Sequence, residues 1–386
     1  MSRRGIVHLS TVHHSRDNRI YNKEVRALVE AGFDTTLVIC ADADEAAPLP
    51  LVALPRPRGR AERLIGTQAH AWRALSRLHP AVLHIHDPEL IPLAWTWART
   101  HGARCIYDAH EDIVEQVASK SYLGPWQRTI AAAYARLLTG WADKGMDAVV
   151  AATSPVAERY TNPRRVVVHN YPWAPDGATP AAPVPGRLLY VGDLSEERKV
   201  SFMVEVTRLV QARVPQAHLM LAGRVLPEGR EAADAFDPAV VTHVGLLPPI
   251  EVPAFVASAQ VGLIFLDPLP NYTTSLPTKL FEYMAAGVPW AASDFPYWRD
   301  QFGPWEAGIF VDSEDAGATA EALADLLLDA DARARLGRNG LAAIASGLSF
   351  ESEARTLTAL VSRLLEPGPL PRSGRARRTR RTTTSN

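Results

Sequence analysis

The feature that most constrains this chain is a repeated alternation of short, continuous aliphatic runs with longer helix-patterned stretches. The first series of runs lies at residues 5–9, 35–40, 82–85, 104–107, 148–151 and 166–169. These runs do not alternate polar with apolar residues. Both faces of each strand must therefore be covered, as in a parallel sheet packed between helices. Helical patterns at 22–31, 61–77, 88–101 and 126–144 fall between them and give a β-α-β-α order. Residues 172–186 then hold five prolines and two glycines, which forbid regular structure. Beyond them the alternation restarts at 187–190, 218–222, 241–244, 261–265, 290–292 and 308–311, and 350–365 reads as a final helix. The expected organisation is α/β: a first Rossmann-like domain over 1–171, a linker over 172–186, and a second Rossmann-like domain over 187–349. A helix over 350–366 follows, able to pack back on the first domain, and then a disordered tail over 367–386.

Length agrees with two cores, since 386 residues exceed what one core usually fills. The net charge of −1 hides an asymmetry. Arg372, Arg375, Arg377, Arg378, Arg380 and Arg381 sit in the tail without an acid, so the remainder carries −7. Cys40 and Cys105 are unpaired in spacing, which argues against a disulfide framework or zinc knuckle and for a reducing, cytoplasmic setting. The start of the chain is too short in apolar residues for a signal peptide. No apolar run approaches the ~18 residues that a spanning helix needs. A P-loop lysine motif and the Gly-x-Gly-x-x-Gly fingerprint are both missing, which disfavours kinase and dehydrogenase chemistry.

Open parallel sheets bind ligands at the carboxyl ends of their strands, so candidate residues are sought there. In 273–289, capping residues and a proline open a helix that Gly287 and Pro289 close. Lys279 lies in its first turns, where the helix dipole disfavours a cation. An anion bound at that N-terminus would pair with both, drawing in Thr274 and Ser275, although a solvated Lys279–Glu282 pair reads equally well. Gly192, Gly223 and Gly245 follow three successive strands of the second domain and permit close backbone approach. Arg198 and Lys199 beside the first of them can neutralise a departing diphosphate. In the first domain His110 ends a strand and faces the cleft, as a ligand contact or a buried, hydrogen-bonded histidine. His13, His14, Asp17 and Arg19 form an unusually polar turn that either lines an acceptor site or is solvated. Asp42 with Asp44, and His84 with His86, have metal-like spacing. The first pair lies in a loop and the second lacks further ligands in sequence, so both are read as structural and no metal is expected.

On these motifs the chain resembles glycosyltransferase family 4, the retaining two-domain sugar transferases of GT-B fold. The resemblance covers most of residues 5–345 and is strongest at 19–32, 107–111, 190–199 and 277–289. The last reads Pro-x-Lys-Leu-Phe-Glu-Tyr-Met-Ala-x-Gly-x-Pro. It implies an acceptor-side first domain and a second domain that binds a nucleoside-diphosphate sugar. It also implies transfer with retention to an acceptor hydroxyl, in the synthesis of a cell-surface glycan, glycolipid or glycosylated metabolite. His110 matches the histidine near the donor sugar, Arg198 the basic residue on the diphosphate and Glu282 the ribose-binding glutamate; His110, Arg198 and Lys279 form the catalytic set. Three positions depart from the pattern: Thr274 replaces a frequent glutamate, Asp193 a frequent arginine, and Lys199 a frequent glycine. Two other readings stay open, a nucleotide-sugar 2-epimerase and a non-catalytic nucleotide-sugar-binding scaffold.

No nucleic-acid partner is expected. Tyr122, Leu123, Trp126, Ile130, Tyr134, Leu137, Leu138 and Trp141 recur at helical spacing beside Lys120, Arg128, Arg136 and Lys144. This stretch and the basic tail suggest peripheral contact with an anionic inner membrane face and a lipid-linked acceptor. The other reading of the stripe is a core-facing helix side.

Overall fold

In the computed structural model, which describes residues 5–42, 48–111, 113–114, 124–175, 182–273 and 275–366, the alternation forms two wholly parallel sheets. The first contains β1 (Ile6–Ser10), β2 (Thr35–Cys40), β3 (Leu51–Leu54), β4 (Val82–Ile85), β5 (Arg104–Ala109), β6 (Ala148–Ala151) and β7 (Arg165–Val167). Their order is β3-β2-β1-β4-β5-β6-β7. The second contains β8 (Arg187–Val191), β9 (His218–Ala222), β10 (Val241–His243), β11 (Val261–Ile264), β12 (Trp290–Ser293) and β13 (Gly308–Val311), ordered β10-β9-β8-β11-β12-β13. Strand order reverses between β1 and β4 and again between β8 and β11, and each reversal opens a crevice at the carboxyl edge. Strands β1, β4, β6, β11 and β12 are buried along their whole length, as unbroken apolar runs require.

Strand β3 escaped the sequence reading. Only four residues long and framed by Pro50 and Pro55, it occupies the sheet edge, where a missing amide donor on one side is tolerated.

The final helix, Phe350–Leu365, packs on the first sheet. Phe350, Leu357, Leu360, Val361 and Leu364 join Ile6, Val82, Ile106, Ala148 and Val150 in one buried cluster. The connecting strand reinforces this join. Phe350 donates its amide to Pro172 O, and the Trp173 ring meets Phe350 edge-on at 5.1 Å. Glu353 accepts from the His169 amide at 3.0 Å. The same connection reaches the second domain where the Tyr171 and Phe281 rings lie 4.7 Å apart.

The helix Pro125–Gly145 divides the apolar stripe seen in the sequence. Leu138 and Ala142 are buried in the first core, whereas Trp126, Ile130, Tyr134 and Leu137 are 68%, 61%, 53% and 63% exposed. Core packing therefore explains only part of the stripe. Lys120, Tyr122, Leu123 and the basic tail lie outside the described residues. Among the described residues no helix is long and apolar enough to cross a membrane.

Candidate active site

Two glycine turns nest at the carboxyl edge of the second sheet. A Cβ at Gly223 would come within 1.9 Å of Gly192 O, and one at Gly192 within 2.5 Å of Lys279 Cε, so side chains are excluded from both. Gly245 extends the series by accepting the Gly223 amide at 2.8 Å. Lys279 reaches this turn from the helix Thr278–Ala285, its Nζ 5.9 Å from the Tyr190 ring centroid. Burial disfavours its charge and lowers its pKa; Glu282 opposes that shift and Arg198 adds to it. Arg198 Nη1 donates to Asp193 O at 3.3 Å, which places the guanidinium at the same turn. Neither Lys279 nor Arg198 is ion-paired among the described residues. The turn thus presents two cations and little to balance them.

Lys199 behaves differently. Its backbone is left-handed, with φ of 56°, which explains why a glycine suits this position. Its ammonium contacts Asp267 Oδ1 at 3.1 Å and also Glu314. The structure therefore does not join it to the Arg198–Lys279 pair, contrary to the sequence expectation. Asp193, the acid in a place that often holds arginine, is gripped by Arg224 through two bonds of 3.0 and 2.9 Å. Burial would raise the Asp193 carboxyl, but Arg224 overrides it and holds the pKa low. Arg224 was missed in sequence, though it directly follows Gly223.

The helix Thr278–Ala285 begins at Pro277 without a side-chain cap, which corrects the expectation that capping residues open it. Leu280 N donates back to Pro277 O at 3.1 Å, and the Thr278 and Lys279 amides have no acceptor among the described residues. Glu282 lies one turn along, half-buried, and its carboxylate has no hydrogen bond among the described residues. Ser275 turns inward instead, its Oγ donating to Tyr272 O at 3.2 Å. Thr274 lies outside the described residues.

At the carboxyl edge of the first sheet, Asp108 organises the opposing wall. Arg19 crosses beneath it, donating from Nε and Nη2 to the two Asp108 oxygens at 3.1 and 2.9 Å and from Nη1 to Val168 O. Arg19 is 5% exposed, so it does not line an acceptor surface. It supports Asp108 instead. Burial would raise the Asp108 carboxyl, yet Arg19, then His110 and His86, hold it well below the usual carboxylate range. His110 Nε2 lies 3.2 Å from Asp108 Oδ2, with about a fifth of the ring exposed towards the cleft.

The turn after β1 brings His13 to His110, the ring centroids 4.9 Å apart. Asp17 meets His13 Nδ1 at 3.1 Å and caps the amides of Arg19 and Ile20 at 2.9 Å. Burial lowers the His13 pKa, but Asp17 outweighs it and the net shift is upward; Asp17 is correspondingly lowered. Asp87 ties down the same turn, accepting from Ser10 Oγ, Thr11 N and Thr11 Oγ1. The His14 side chain is exposed and has no contact with this constellation among the described residues.

Behind the wall is a group of which the sequence disclosed only His84 and His86. His8 and His84 are register partners on β1 and β4, and His86 follows two residues on. Glu24, from the turn Ile20–Val25, closes over them, and all four are buried. Asp42 pairs with Arg56 at 3.2 Å, while Asp44 lies outside the described residues. Lys23, beside Glu24, donates to Asn170 O and Oδ1 at 2.8 and 2.6 Å.

Known proteins align with both halves. The profile described as Glycosyltransferase Family 4 matches residues 3–171, and that of Glycosyl transferases group 1 matches 180–342. No curated protein matches the sequence. Sucrose-phosphate synthase from Thermosynechococcus elongatus superposes with a TM-score of 0.66 at 20% identity, covering 94% of this chain and 99% of the other. A glycosyltransferase from Rickettsia africae gives 0.69 at 10% identity, covering 95% and 100%. Anabaena HepE, in complex with UDP and glucose, gives 0.66 at 12% identity, covering 93% and 99%.

Proposed function

The chain belongs to the family 4 glycosyltransferases of GT-B fold, which use nucleotide sugars, and from that premise we propose a retaining transfer whose leaving diphosphate is stabilised by Arg198 and Lys279. One observation carries this reading: both cations reach the Gly192 turn, and neither is neutralised by a carboxylate among the described residues. Charge that builds on a departing phosphate oxygen is stabilised best by donors already in place. The uncapped amides of the 278–285 helix add a second anion contact. Departure of the diphosphate on this route needs no divalent ion.

Glu282, one helical turn from Lys279, is positioned to accept from ribose hydroxyls. His110 contacts the donor sugar from the opposite wall, its imidazole oriented by Asp108. The acceptor enters over His13 and Asp17. Its hydroxyl attacks on the face from which the diphosphate leaves, and a phosphate oxygen takes the proton, because the carboxylates nearby are already engaged: Asp108 by Arg19, Asp17 by His13 and Asp193 by Arg224. Because the Anabaena neighbour holds UDP and glucose, uridine diphosphate is the first donor fragment to try.

The exposed face of Trp126, Ile130, Tyr134 and Leu137 supports an acceptor met at a membrane surface. Four large apolar side chains on one helix face match an interfacial anchor better than an isolated solvent-exposed helix. The experiment that tests the proposal is calorimetric titration of UDP into the parent, Arg198→Ala and Lys279→Ala proteins, followed by anomeric analysis of the product. Equal affinity in all three proteins would misplace the diphosphate, and an inverted product would refute retention.

A further inference from the structure

We propose that His8, His84, His86 and Glu24 form a closed structural zinc site beneath the acceptor wall. His8 and His84 stand side by side on neighbouring parallel strands, and His86 projects to the same side. The ring centroids of His8 and His84 are 4.5 Å apart, and those of His84 and His86 are 4.8 Å apart. Glu24 completes the set from above. His8 Nδ1 lies 3.0 Å from His86 Nε2 and 3.8 Å from Glu24 Oε2, and His84 Nδ1 lies 4.0 Å from Glu24 Oε2. One ligand atom from each residue falls within 4.8 Å of the other three. Tetrahedral zinc with bonds of about 2.0–2.2 Å sets its ligand atoms ~3.3–3.5 Å apart, so small side-chain rotations complete the geometry.

The polar satisfaction of the cluster points the same way. Among the described residues neither nitrogen of His84 nor His8 Nε2 has a hydrogen-bond partner; Glu24 Oε1 meets Arg19 Nε at 3.0 Å, and Glu24 Oε2 is left without a hydrogen bond. A neutral imidazole always carries one N–H and one lone pair. Leaving such groups buried and unpaired is costly, and native proteins rarely tolerate it. A cation at the centre would take up the lone pairs of His84 Nδ1 and Glu24 Oε2, which lie 4.0 Å apart.

The surroundings complete the argument. His86 Nδ1 faces Asp108 Oδ2 at 3.2 Å, which directs the Nε2 lone pair towards His8 and Glu24. Asp108 is in turn fixed by Arg19. A carboxylate behind a metal-binding histidine is the usual outer-shell device for fixing the ring. Four protein ligands leave no open position, so the ion is structural rather than catalytic. Three imidazoles and one carboxylate, with no thiolate, suit zinc. The site tethers β1, β4 and the Ile20–Val25 turn to one point and braces Asp108, hence His110.

The test is metal analysis of the full chain, carrying no histidine tag and purified from zinc-supplemented cells. About one zinc per chain is expected, with His84→Gln and Glu24→Gln each losing most of it. Because either variant can fail to fold, a second measurement uses the parent protein. Refolding with cobalt should produce the visible absorption bands of a tetrahedral Co2+ site, and added zinc should abolish them. Parent protein without zinc and without cobalt bands would overturn the proposal. So would stoichiometric zinc that persists in folded His84→Gln protein.

Discussion

At the residue scale the donor turn divides its basic side chains into two kinds. Arg198 and Lys279 face the glycines without an ionic partner among the described residues, whereas Lys199 is neutralised by Asp267 and Glu314. Arg198→Ala and Lys279→Ala should each weaken UDP binding by ~1.5–3 kcal/mol, roughly 10- to 100-fold, since each removes a charge-assisted contact. Lys199→Ala should leave affinity within about threefold, because its pairs are solvent-screened. Titration calorimetry on the three variants checks the split, and a Lys199 effect as large as the others would erase it. Protonation supplies a further expectation. Lys279 must be charged to hold phosphate, and burial lowers its pKa below the ordinary 10.5. UDP affinity should therefore fall as pH rises below the usual lysine range, and Lys279→Arg should extend binding upward in pH. A flat affinity profile up to about pH 10 would contradict it. The glycines, Arg198 and Lys279 were legible in sequence because each follows a strand or opens a helix. The fate of Lys199 was not, since Glu314 lies 115 positions away. Arg19 was misread for the same reason: its partner Asp108 is 89 positions distant.

At the scale of elements, amphipathic spacing revealed a helix over 125–145 but not which side of its stripe meets the core. Periodicity reports that apolar residues share a face and is silent on what covers it. Leu138 packs inward, while Trp126, Ile130, Tyr134 and Leu137 remain in solvent. Replacing Trp126, Ile130 and Leu137 together with serine should abolish sedimentation with anionic vesicles while leaving UDP binding intact. Parent protein that stays in the supernatant at low salt would remove the membrane reading. A second element shows another limit of pattern. Residues Ile20–Val25 wind as a wide π-type turn, and Lys23 and Glu24 are both buried there, which a 3.6-residue period does not foresee. The histidine cluster was hidden accordingly. His84 and His86 stood out, but His8 and Glu24 joined them only through strand order and this irregular turn.

For the whole molecule, two Rossmann-like parallel sheets were legible because uninterrupted apolar strands separated by helices permit few architectures, whereas the strand order within each came from the structure. In the sequence the join between the domains was legible as a helix over 350–366 able to pack back on the first domain, without the residues it would bury. Leu357 and Leu360 are fully buried against the first sheet although they lie beyond the second domain. Truncating either to alanine should destabilise the first domain by about 2–5 kcal/mol, with the loss read by chemical denaturation. A change under about 1 kcal/mol would mean that the helix is dispensable packing. Leaving group chemistry belongs to this scale too, since the proposed diphosphate site and His110 belong to different domains. Brief EDTA treatment should leave transfer intact, and activity lost and then restored by magnesium or manganese would refute a cation-clamped leaving group.

The return of the last helix to the first sheet also sets an order of events during synthesis. Residues 187–345 contain the two apolar cores of the second domain almost entirely within themselves, apart from Tyr171 and its neighbours. That domain can close as soon as it leaves the ribosome. The first sheet emerges earlier yet keeps Ile6, Val82 and Ile106 uncovered until Phe350 and Leu364 arrive. The domain made first is the one finished last, and in the interval an apolar sheet face is open to chaperones or to aggregation.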